Sequence, residues 1–234
     1  MNLKVKLFAD GAEKAGMVEM YNNPLISGFT TNPTLMKKAG IKDYKTFAKD
    51  ILTVIKDKPI SFEVFSDEFE EMERQALEIA SWGKNVYVKI PISNTRAESS
   101  LELVERLSIA GVKINVTAMM TLQQVKDALP ALANSSGGYV SVFAGRIADA
   151  GIDPIPIMSE VMDLLKGQSK IELIWASPRE LFNVVQADSI GCHIITATND
   201  ILKKLPTLGK DLTEFSLDTV KMFYNDAHSA GYTI

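Results

Sequence analysis

A chain of 234 residues, 46% hydrophobic and 23% charged, has the composition of a soluble globular protein and the length of one large domain or two small ones. The formal net charge of −4 gives no basic surface, which argues against a nucleic-acid-binding protein. No apolar run approaches the roughly 20 residues that a membrane span needs, and the first residues do not resemble a signal peptide. We therefore expect a cytoplasmic protein that binds neither nucleic acid nor membranes.

The cysteine and the histidines exclude two further classes of site. Cys192 is the only cysteine, so no intrachain disulfide can form, as is usual in the reducing cytosol. Cys192, His193 and His228 do not have the spacing of metal ligands, so we expect no transition-metal site. Cys192 is interpreted as a small core residue, and His193 as a packing or outward-facing residue without a catalytic role.

Eight short apolar runs follow one another along the chain and predict β-strands at residues 5–9, 28–32, 60–65, 86–90, 113–118, 139–144, 171–176 and 192–197. Helical patterns come after them, at residues 13–21, 43–55, 68–82, 96–110, 122–132, 156–165, 178–187 and 200–204. A strand and helix unit that repeats every roughly 25–30 residues indicates a parallel sheet.

Eight such units in a chain of this length favour an α/β fold, a single (β/α)₈ TIM barrel that spans residues 1–234. An open doubly wound sheet is the alternative. It usually carries Gly-x-Gly-x-x-Gly after the first strand, where this chain has Phe8-Ala9-Asp10-Gly11-Ala12. The pattern also predicts an additional C-terminal helix at about residues 211–228, whose apolar residues must cover the barrel wall or a neighbouring subunit.

One residue does not suit the fourth strand. Lys89 lies in Asn85-Val86-Tyr87-Val88-Lys89-Ile90-Pro91, a run of β-branched and aromatic residues that should be buried. Desolvation lowers the pKa of a lysine, and a neutral amine is a nucleophile toward a carbonyl group. We therefore interpret Lys89 as a Schiff-base lysine. The alternative is a lysine that reaches solvent at the strand end or pairs with a carboxylate for structure.

Polar residues also occupy the carboxyl ends of the other predicted strands, where the active site of a (β/α)₈ barrel lies. They are Asp10, Thr30, Thr31, Asn32, Glu63, Asn115, Thr117, Ser141, Phe143 with Arg146 beyond it, Ser177 with Arg179 beyond it, Thr196 and Thr198. A carboxylate such as Glu63 can activate a water that moves protons on and off a carbinolamine, and Asp10 can exchange the proton of a hydroxyl group. Arg146 and Arg179 can bind a phosphate.

Each of these residues also has an ordinary structural interpretation. Asp10 could equally be the N-cap of the helix that follows Gly11. Asn32-Pro33 is typical of a turn and a helix start. Arg179 could be a solvated surface charge, and Phe143 a core aromatic.

Four motifs together resemble the transaldolase family. They are Gly28-Phe29-Thr30-Thr31-Asn32-Pro33-Thr34-Leu35, Val88-Lys89-Ile90-Pro91, Phe143-Ala144-Gly145-Arg146-Ile147 and Ala176-Ser177-Pro178-Arg179. They occur in the family's order, one motif for each strand, between Phe8 and about Thr198. The chain resembles the compact members of the family, which include the fructose-6-phosphate aldolases.

The resemblance implies a class I mechanism that needs no metal and no other cofactor. Lys89 would carry a dihydroxyacetone unit, Asp10 would act as acid and base at the carbon–carbon bond, and Glu63 with Thr117 would position a catalytic water. The implied substrate-binding residues are Thr31, Asn32, Asn115, Ser141 and Phe143 for the donor, and Arg146, Ser177 and Arg179 for the phosphate.

The resemblance also separates two activities and implies partners. The compact aldolases are similar but have glutamine where Glu63 stands and tyrosine where Phe143 stands, whereas transaldolases share the Glu63 and Phe143 pattern. We therefore expect a transaldolase that acts on phosphorylated sugars. The alternatives are an aldolase that releases dihydroxyacetone and a catalytically silent barrel that serves as a binding module. The compact relatives form rings of subunits, which implies a homo-oligomer, either a pentamer or a decamer.

Overall fold

The computed structural model describes residues 3–168 and 170–234 and contains a closed barrel of eight parallel strands. The strands are β1 (Lys6–Asp10), β2 (Ile26–Thr30), β3 (Ile60–Glu63), β4 (Val86–Pro91), β5 (Ile114–Met119), β6 (Gly138–Val142), β7 (Ile171–Trp175) and β8 (Ile194–Thr198). Each strand pairs with the next one, and β8 pairs with β1. The predicted (β/α)₈ barrel is confirmed.

Helices alternate with the strands along the described chain. They are α1 (Lys14–Asn22), α2 (Pro33–Lys38), α3 (Tyr44–Leu52), α4 (Phe69–Ala80), α5 (Leu101–Ile109), α6 (Leu122–Leu132), α7 (Ala144–Asp149), α8 (Pro154–Leu164), α9 (Phe182–Ser189), α10 (Asn199–Leu202) and α11 (Leu212–Ser229), with a 3₁₀ turn at Leu205–Thr207. None of these helices combines the length and the hydropathy of a membrane-spanning segment.

Two short helices, α2 and α7, are missing from the helical patterns of the sequence, because six residues are too few to show a helical period. The local sequence explains α2 all the same. The Asn32 side chain accepts the backbone N–H of Leu35 at 3.0 Å, and Pro33 occupies the first turn, where its missing N–H is not needed. The interpretation of Asn32-Pro33 as a helix start is therefore confirmed.

The helix predicted at residues 96–110 begins at Leu101, so its first part was wrong. Residues before Leu101 form a loop, in which Asn94 Oδ1 accepts the backbone N–H groups of Arg96 and Glu98 at 3.0 Å each. An asparagine that binds nearby backbone groups in this way stabilises a turn at the expense of a helix. The left-handed φ of 62° at Ala97 completes the turn.

The lower half of the barrel interior is filled by an aromatic plug, which consists of Phe8, Tyr87 and Tyr139. The rings of Tyr87 and Tyr139 stack at 4.2 Å, and Phe8 meets Tyr139 edge to face at 5.9 Å. A Cβ at Gly28 would lie 2.5 Å from the Phe8 ring, so a glycine on β2 makes room for it. Each plug residue lies two positions before a polar residue on its own strand, namely Asp10, Lys89 and Ser141, so the polar layer lies above the plug.

The C-terminal helix α11 contrasts with the barrel. It has no buried residue along its 18 residues, although it carries several apolar side chains, namely Leu212, Phe215, Leu217, Val220, Met222, Phe223 and Tyr224. The helix that directly follows β8, α10, is only four residues long. The predicted helix is therefore present, and in the described chain its apolar side chains are exposed.

Candidate active site

Sheet register brings three predicted residues to one level of the barrel. Glu63 on β3 is the Cα partner of Lys89 on β4, and Lys89 is the partner of Asn115 on β5. Side chains at partnered positions of neighbouring strands point to the same face, which here is the barrel interior. Asp10 lies at the same end of the barrel on β1, where it is the Cα partner of Thr30 on β2 and of Thr198 on β8.

Lys89 is 6% exposed, so the expectation that it is buried is confirmed. Its Nζ lies 3.1 Å from Glu63 Oε2 and donates to the Thr31 carbonyl at 3.3 Å. The Phe143 ring centroid is 5.9 Å from the same nitrogen. The buried amine thus has a carboxylate within reach of a proton transfer.

Asp10 is half-buried at the end of β1 and accepts the Thr30 hydroxyl at 2.7 Å. Removal from water raises the pKa of Asp10, while the charge of Lys89 and the hydrogen bond from Thr30 oppose the rise. The alternative role as an N-cap is wrong, because Glu13 caps α1 by accepting the backbone N–H groups of Ala15 and Gly16. Asp10 is therefore not needed as a cap and faces the cavity.

Tyr44, which the sequence analysis did not single out, fixes the end of β3. Its hydroxyl donates to the Glu63 carbonyl at 2.9 Å and accepts the Glu63 N–H at 2.8 Å. Burial raises the pKa of Tyr44 well above its ordinary value, so the hydroxyl keeps its proton. No pattern in the sequence links Tyr44 to Glu63, since the contact depends on how α3 packs against β3.

A buried chain of hydrogen bonds fixes the amide of Asn115. Its Nδ2 donates to Ser61 Oγ at 3.1 Å, and its Oδ1 accepts the Ser141 hydroxyl at 2.7 Å. Ser61 was missed from the sequence, although its position two residues before Glu63 on an alternating strand places it on the same face. Thr31 belongs to this buried layer too, since its hydroxyl donates to the Ser61 carbonyl at 2.9 Å.

The hydroxyl of Thr117 is buried and has no hydrogen-bond partner among the described residues. Thr117 is 1% exposed and precedes Ala118, whose φ of 62° is left-handed. The register of β5 against β6 shifts between Val116 and Met119 around this position. A buried hydroxyl without a partner is costly, and such groups often serve a site.

The loops after β6 and β7 carry Arg146, Ser177 and Arg179. We call this group the phosphate end. The guanidinium of Arg146 is 5.8 Å from the Phe143 ring centroid. Arg179 binds the carboxylate of Asp149 through two contacts, one of them Nε to Oδ1 at 3.0 Å. Both arginines are exposed, so they can reach a ligand without leaving a buried position.

One cavity of about 560 Å³ joins these groups. Its lining includes Asp10, Thr30, Asn32, Glu63, Lys89, Ala118, Ser141, Phe143, Arg146, Ser177, Arg179, Thr196, Thr198 and Asp200. Asn115, Thr117 and Thr31 lie behind this lining. Within residues 3–168 and 170–234, no group of three or more His, Cys, Asp or Glu side chains is arranged to hold a metal ion.

The two remaining sequence interpretations concern Cys192 and His193. Cys192 is buried, as expected of a core residue, and burial raises the pKa of its thiol to about 12. His193 Nδ1 accepts the backbone N–H of Leu173 at 3.0 Å, which is a packing role at the opposite end of the barrel. Both interpretations are confirmed.

Comparison with known proteins places the chain in one family. The family model described as Transaldolase/Fructose-6-phosphate aldolase matches residues 7–234. A probable transaldolase of Thermoanaerobacter sp. (strain X514) is 36% identical over 98% of this chain and 100% of its own length. A probable transaldolase of Dehalococcoides mccartyi is 32% identical over 92% of this chain and 97% of its own length.

Solved structures that resemble the chain share its fold at low sequence identity. The structure described as native KDPGal aligns with a TM-score of 0.54 and 14% identity, over 86% of this chain and 85% of that one. A mandelate oxidase aligns with a TM-score of 0.57 and 13% identity over 82% of this chain, which spans 64% of the oxidase. These likenesses concern the barrel alone. The family match and the two bacterial relatives identify the chain as a member of the transaldolase/fructose-6-phosphate aldolase family.

Proposed function

We propose that the protein is a transaldolase, which moves a dihydroxyacetone unit from a ketose phosphate such as fructose 6-phosphate or sedoheptulose 7-phosphate to an aldose phosphate. The observation that carries the proposal is the position of the Lys89 amine. It is buried in the mouth of the barrel, 3.1 Å from Glu63, in a cavity that also holds Asp10 and is lined by two arginines. Family membership supports the same class of enzyme.

In the first step the charged Lys89 amine gives a proton to Glu63, directly or through a water. The neutral amine attacks C2 of the ketose, and one proton of the attacking nitrogen passes to the former carbonyl oxygen to give a neutral carbinolamine. Loss of that hydroxyl as water, with a proton supplied by the Glu63 carboxyl, leaves an iminium bond between Nζ and C2. The buried and unpartnered hydroxyl of Thr117 supports a role in holding this water.

In the second step Asp10 removes the proton of the C4 hydroxyl. The bond between C3 and C4 breaks, its electron pair moves into the iminium, and an aldose phosphate leaves as an aldehyde. An enamine remains on Lys89. An acceptor aldehyde then reacts in reverse, with its oxygen taking a proton from Asp10. The burial that raises the pKa of Asp10 suits a group that must both accept and return a proton.

The other residues would hold the substrate still. Asn32 and Ser141 line the cavity and offer an amide and a hydroxyl to the donor hydroxyls, and the chain from Ser61 through Asn115 to Ser141 fixes the orientation of the Ser141 hydroxyl. Arg146, Ser177 and Arg179 would bind the phosphate at the far end of the cavity.

Glu63 and Phe143 support transfer over release of free dihydroxyacetone. Release requires a proton for the enamine carbon. The phenyl ring of Phe143, whose centroid is 5.9 Å from Lys89 Nζ, has no proton to give. The enamine therefore lacks a donor at this position, and the proton that Asp10 took from the C4 hydroxyl is kept for the oxygen of the incoming aldehyde. The alternative activity is that of a class I aldolase that splits fructose 6-phosphate without an acceptor.

One assay separates the two activities. Fructose 6-phosphate is supplied with and without erythrose 4-phosphate, and the formation of glyceraldehyde 3-phosphate is followed. We expect sustained turnover only when the acceptor is present. Equal turnover without erythrose 4-phosphate would reject the transferase and leave the aldolase.

A second observation, the exposed helix α11, supports a homo-oligomer. Phe223 is 63% exposed, and its apolar neighbours on α11 are open to solvent as well. A groove of about 800 Å³ lined by apolar residues such as Leu25, Leu205 and Pro206 lies on the barrel wall between α1 and α10. We propose that α11 of one subunit covers apolar surface of the next, in a pentamer or decamer.

Light scattering tests this arrangement. Phe223→Glu should reduce the mass measured by light scattering, because a charge would be buried in the contact. Lys221→Glu, on the same exposed helix, is the control that should keep the wild-type mass. A monomeric wild-type protein would reject the proposal.

A further inference from the structure

The loops after β6 and β7 are in unusually close contact. A Cβ on Gly145, the second residue of α7, would lie 1.5 Å from the Ser177 carbonyl oxygen and 2.7 Å from its carbonyl carbon. These are backbone atoms and cannot move as the tip of a side chain could. The N–H of Gly145 also points at the Ala176 carbonyl, at 3.4 Å. Only glycine allows the two loops to pack at this distance.

Ser177 has a left-handed backbone at this contact, with φ of 59°. A non-glycine residue adopts this conformation at a cost in conformational energy and keeps it only when its surroundings impose it. The contact with Gly145 is one such constraint. Ser177 faces the cavity, so the same contact decides where its hydroxyl and N–H lie.

The other end of α7 holds the second cation. Asp149 binds Arg179 through both Nε and Nη2, and the backbone N–H of Arg179 donates to Asn183 Oδ1 at 2.7 Å. These contacts engage one edge of the guanidinium, and Nη1 is the remaining nitrogen that can turn to the cavity. Arg146 lies between Gly145 and Asp149 on the same helix.

We propose that Gly145 and Asp149 are positioning residues that join the two loops into one rigid unit and so place Arg146, Ser177 and Arg179 to bind a phosphate group. The inference deepens the proposed function and rests on it for the identity of the phosphorylated substrate. Neither residue touches the substrate. Gly145 acts through the backbone of Ser177, and Asp149 acts through the guanidinium of Arg179.

The first test is to titrate the full-length protein with inorganic phosphate and to measure the binding affinity by calorimetry. We expect Asp149→Asn and Gly145→Ala each to weaken phosphate binding about tenfold, because the first weakens the charge-assisted contact that holds Arg179 and the second displaces the backbone of Ser177. Glu180→Gln is the matched control, because it removes the same charge one residue from Arg179 and should change the affinity less than about twofold. Asp149 is exposed, so its variant should fold even if Gly145→Ala does not.

The second test separates positioning from general damage. For Asp149→Asn, the KM for fructose 6-phosphate should rise about tenfold with kcat within about twofold, because uniform binding is lost. Borohydride trapping of dihydroxyacetone, which has no phosphate, should be unchanged. Asp149→Glu, which keeps a carboxylate, should recover part of the affinity.

The results that overturn the inference differ from those that overturn the proposed function. Unchanged phosphate affinity in Asp149→Asn and Gly145→Ala, no phosphate binding by the wild-type protein, or a parallel loss of dihydroxyacetone trapping in Asp149→Asn would each reject the inference. A wild-type protein that traps no dihydroxyacetone would reject the proposed function, while phosphate titration would still decide the roles of Gly145 and Asp149.

Discussion

The two sides of the cavity are built in different ways. On one side, which we call the lysine end, Asp10, Glu63, Lys89 and Asn115 come from strands, and their positions follow from the register of the sheet. At the phosphate end, Arg146, Ser177 and Arg179 come from loops, and their positions follow from contacts between those loops.

Under the proposed function, the two constructions suit two different tasks. Chemistry at a carbonyl needs groups held in a desolvated place, where charges interact strongly. Recognition of a phosphate tolerates exposure, because a doubly charged ligand binds exposed arginines and loops can vary without disturbing the sheet. Substitutions at the lysine end should therefore change kcat, and those at the phosphate end should change KM.

The largest effect is expected at Lys89. Lys89→Ala removes the nucleophile and should lower kcat by roughly 10⁴-fold or more. Borohydride with dihydroxyacetone should then attach no mass to the protein. Lys166→Ala, at an exposed position on the barrel's outside, is the control and should be trapped like the wild type. Continued trapping of Lys89→Ala at another lysine would contradict the assignment.

Asp10→Asn comes next and should lower kcat by roughly 10²–10⁴-fold, the usual contribution of a general base. In the cleavage direction Asp10 must be ionised, and burial raises its pKa. In the wild type, kcat/KM should therefore fall toward acid pH through a step above the ordinary carboxyl value of 3.8. If that step remained in Asp10→Asn, another group would be the base.

The same substitution has a consequence for stability. Because the folded protein holds the Asp10 proton more tightly than the unfolded chain does, ionised Asp10 costs free energy of folding at neutral pH. The cost appears as the pH rises above 3.8 and is complete above the raised pKa. Asp10→Asn should thus have a higher Tm than the wild type at pH 7, and the difference should vanish below pH 3.8. A lower Tm at pH 7 would show that ionised Asp10 does not destabilise the folded protein.

A smaller effect is expected at the phosphate end. Arg146→Ala should raise the KM for fructose 6-phosphate by roughly 10–100-fold, the value of one charge-assisted contact, with little change in kcat. Salt should raise the wild-type KM as well, because exposed charges are screened. Arg106→Ala, on the outer helix α5, is the control. If Arg146→Ala lowered kcat and left KM unchanged, the assignment of kcat effects to the lysine end and KM effects to the phosphate end would be wrong.

The smallest effect concerns the loop before α5. Arg96 contacts three carboxylates there, those of Asp67, Glu68 and Glu98, and all of these groups are partly exposed. Exposed ion pairs are worth little each, so Arg96→Ala should lower the free energy of unfolding by about 1 kcal/mol or less. Urea denaturation measures the change. A loss of several kcal/mol would show that the loop is as rigid as the lysine end.

Much of the fold could be predicted because the barrel depends on a repeated pattern. Alternation of apolar runs and amphipathic segments reports both the strands and the parallel sheet. The alternation also gives the direction of side chains on a strand, which is why Lys89 and Glu63 could be assigned to one interior. Helix α7 gave no such signal, since six residues are too short for a period to be read.

The contacts that position the site could not be predicted from the sequence. Tyr44 reaches Glu63 across 19 residues, and Asp149 reaches Arg179 across 30. No rule based on local sequence spacing predicts a contact between residues so far apart in the chain. The close approach of Gly145 to Ser177 is also invisible, because a glycine in a loop has many explanations until its neighbours are known. Tertiary packing decides all three.

The aromatic plug has a consequence for the order of the reaction. Phe8, Tyr87 and Tyr139 pack against one another inside the barrel, below the layer that holds Lys89. Under the proposed function, substrates and products would therefore enter and leave at the carboxyl ends of the strands, and the departing aldose would clear that opening before the acceptor arrives, while the three-carbon fragment stays bound to Lys89. Two-substrate kinetics should then be ping-pong, with parallel lines in double-reciprocal plots.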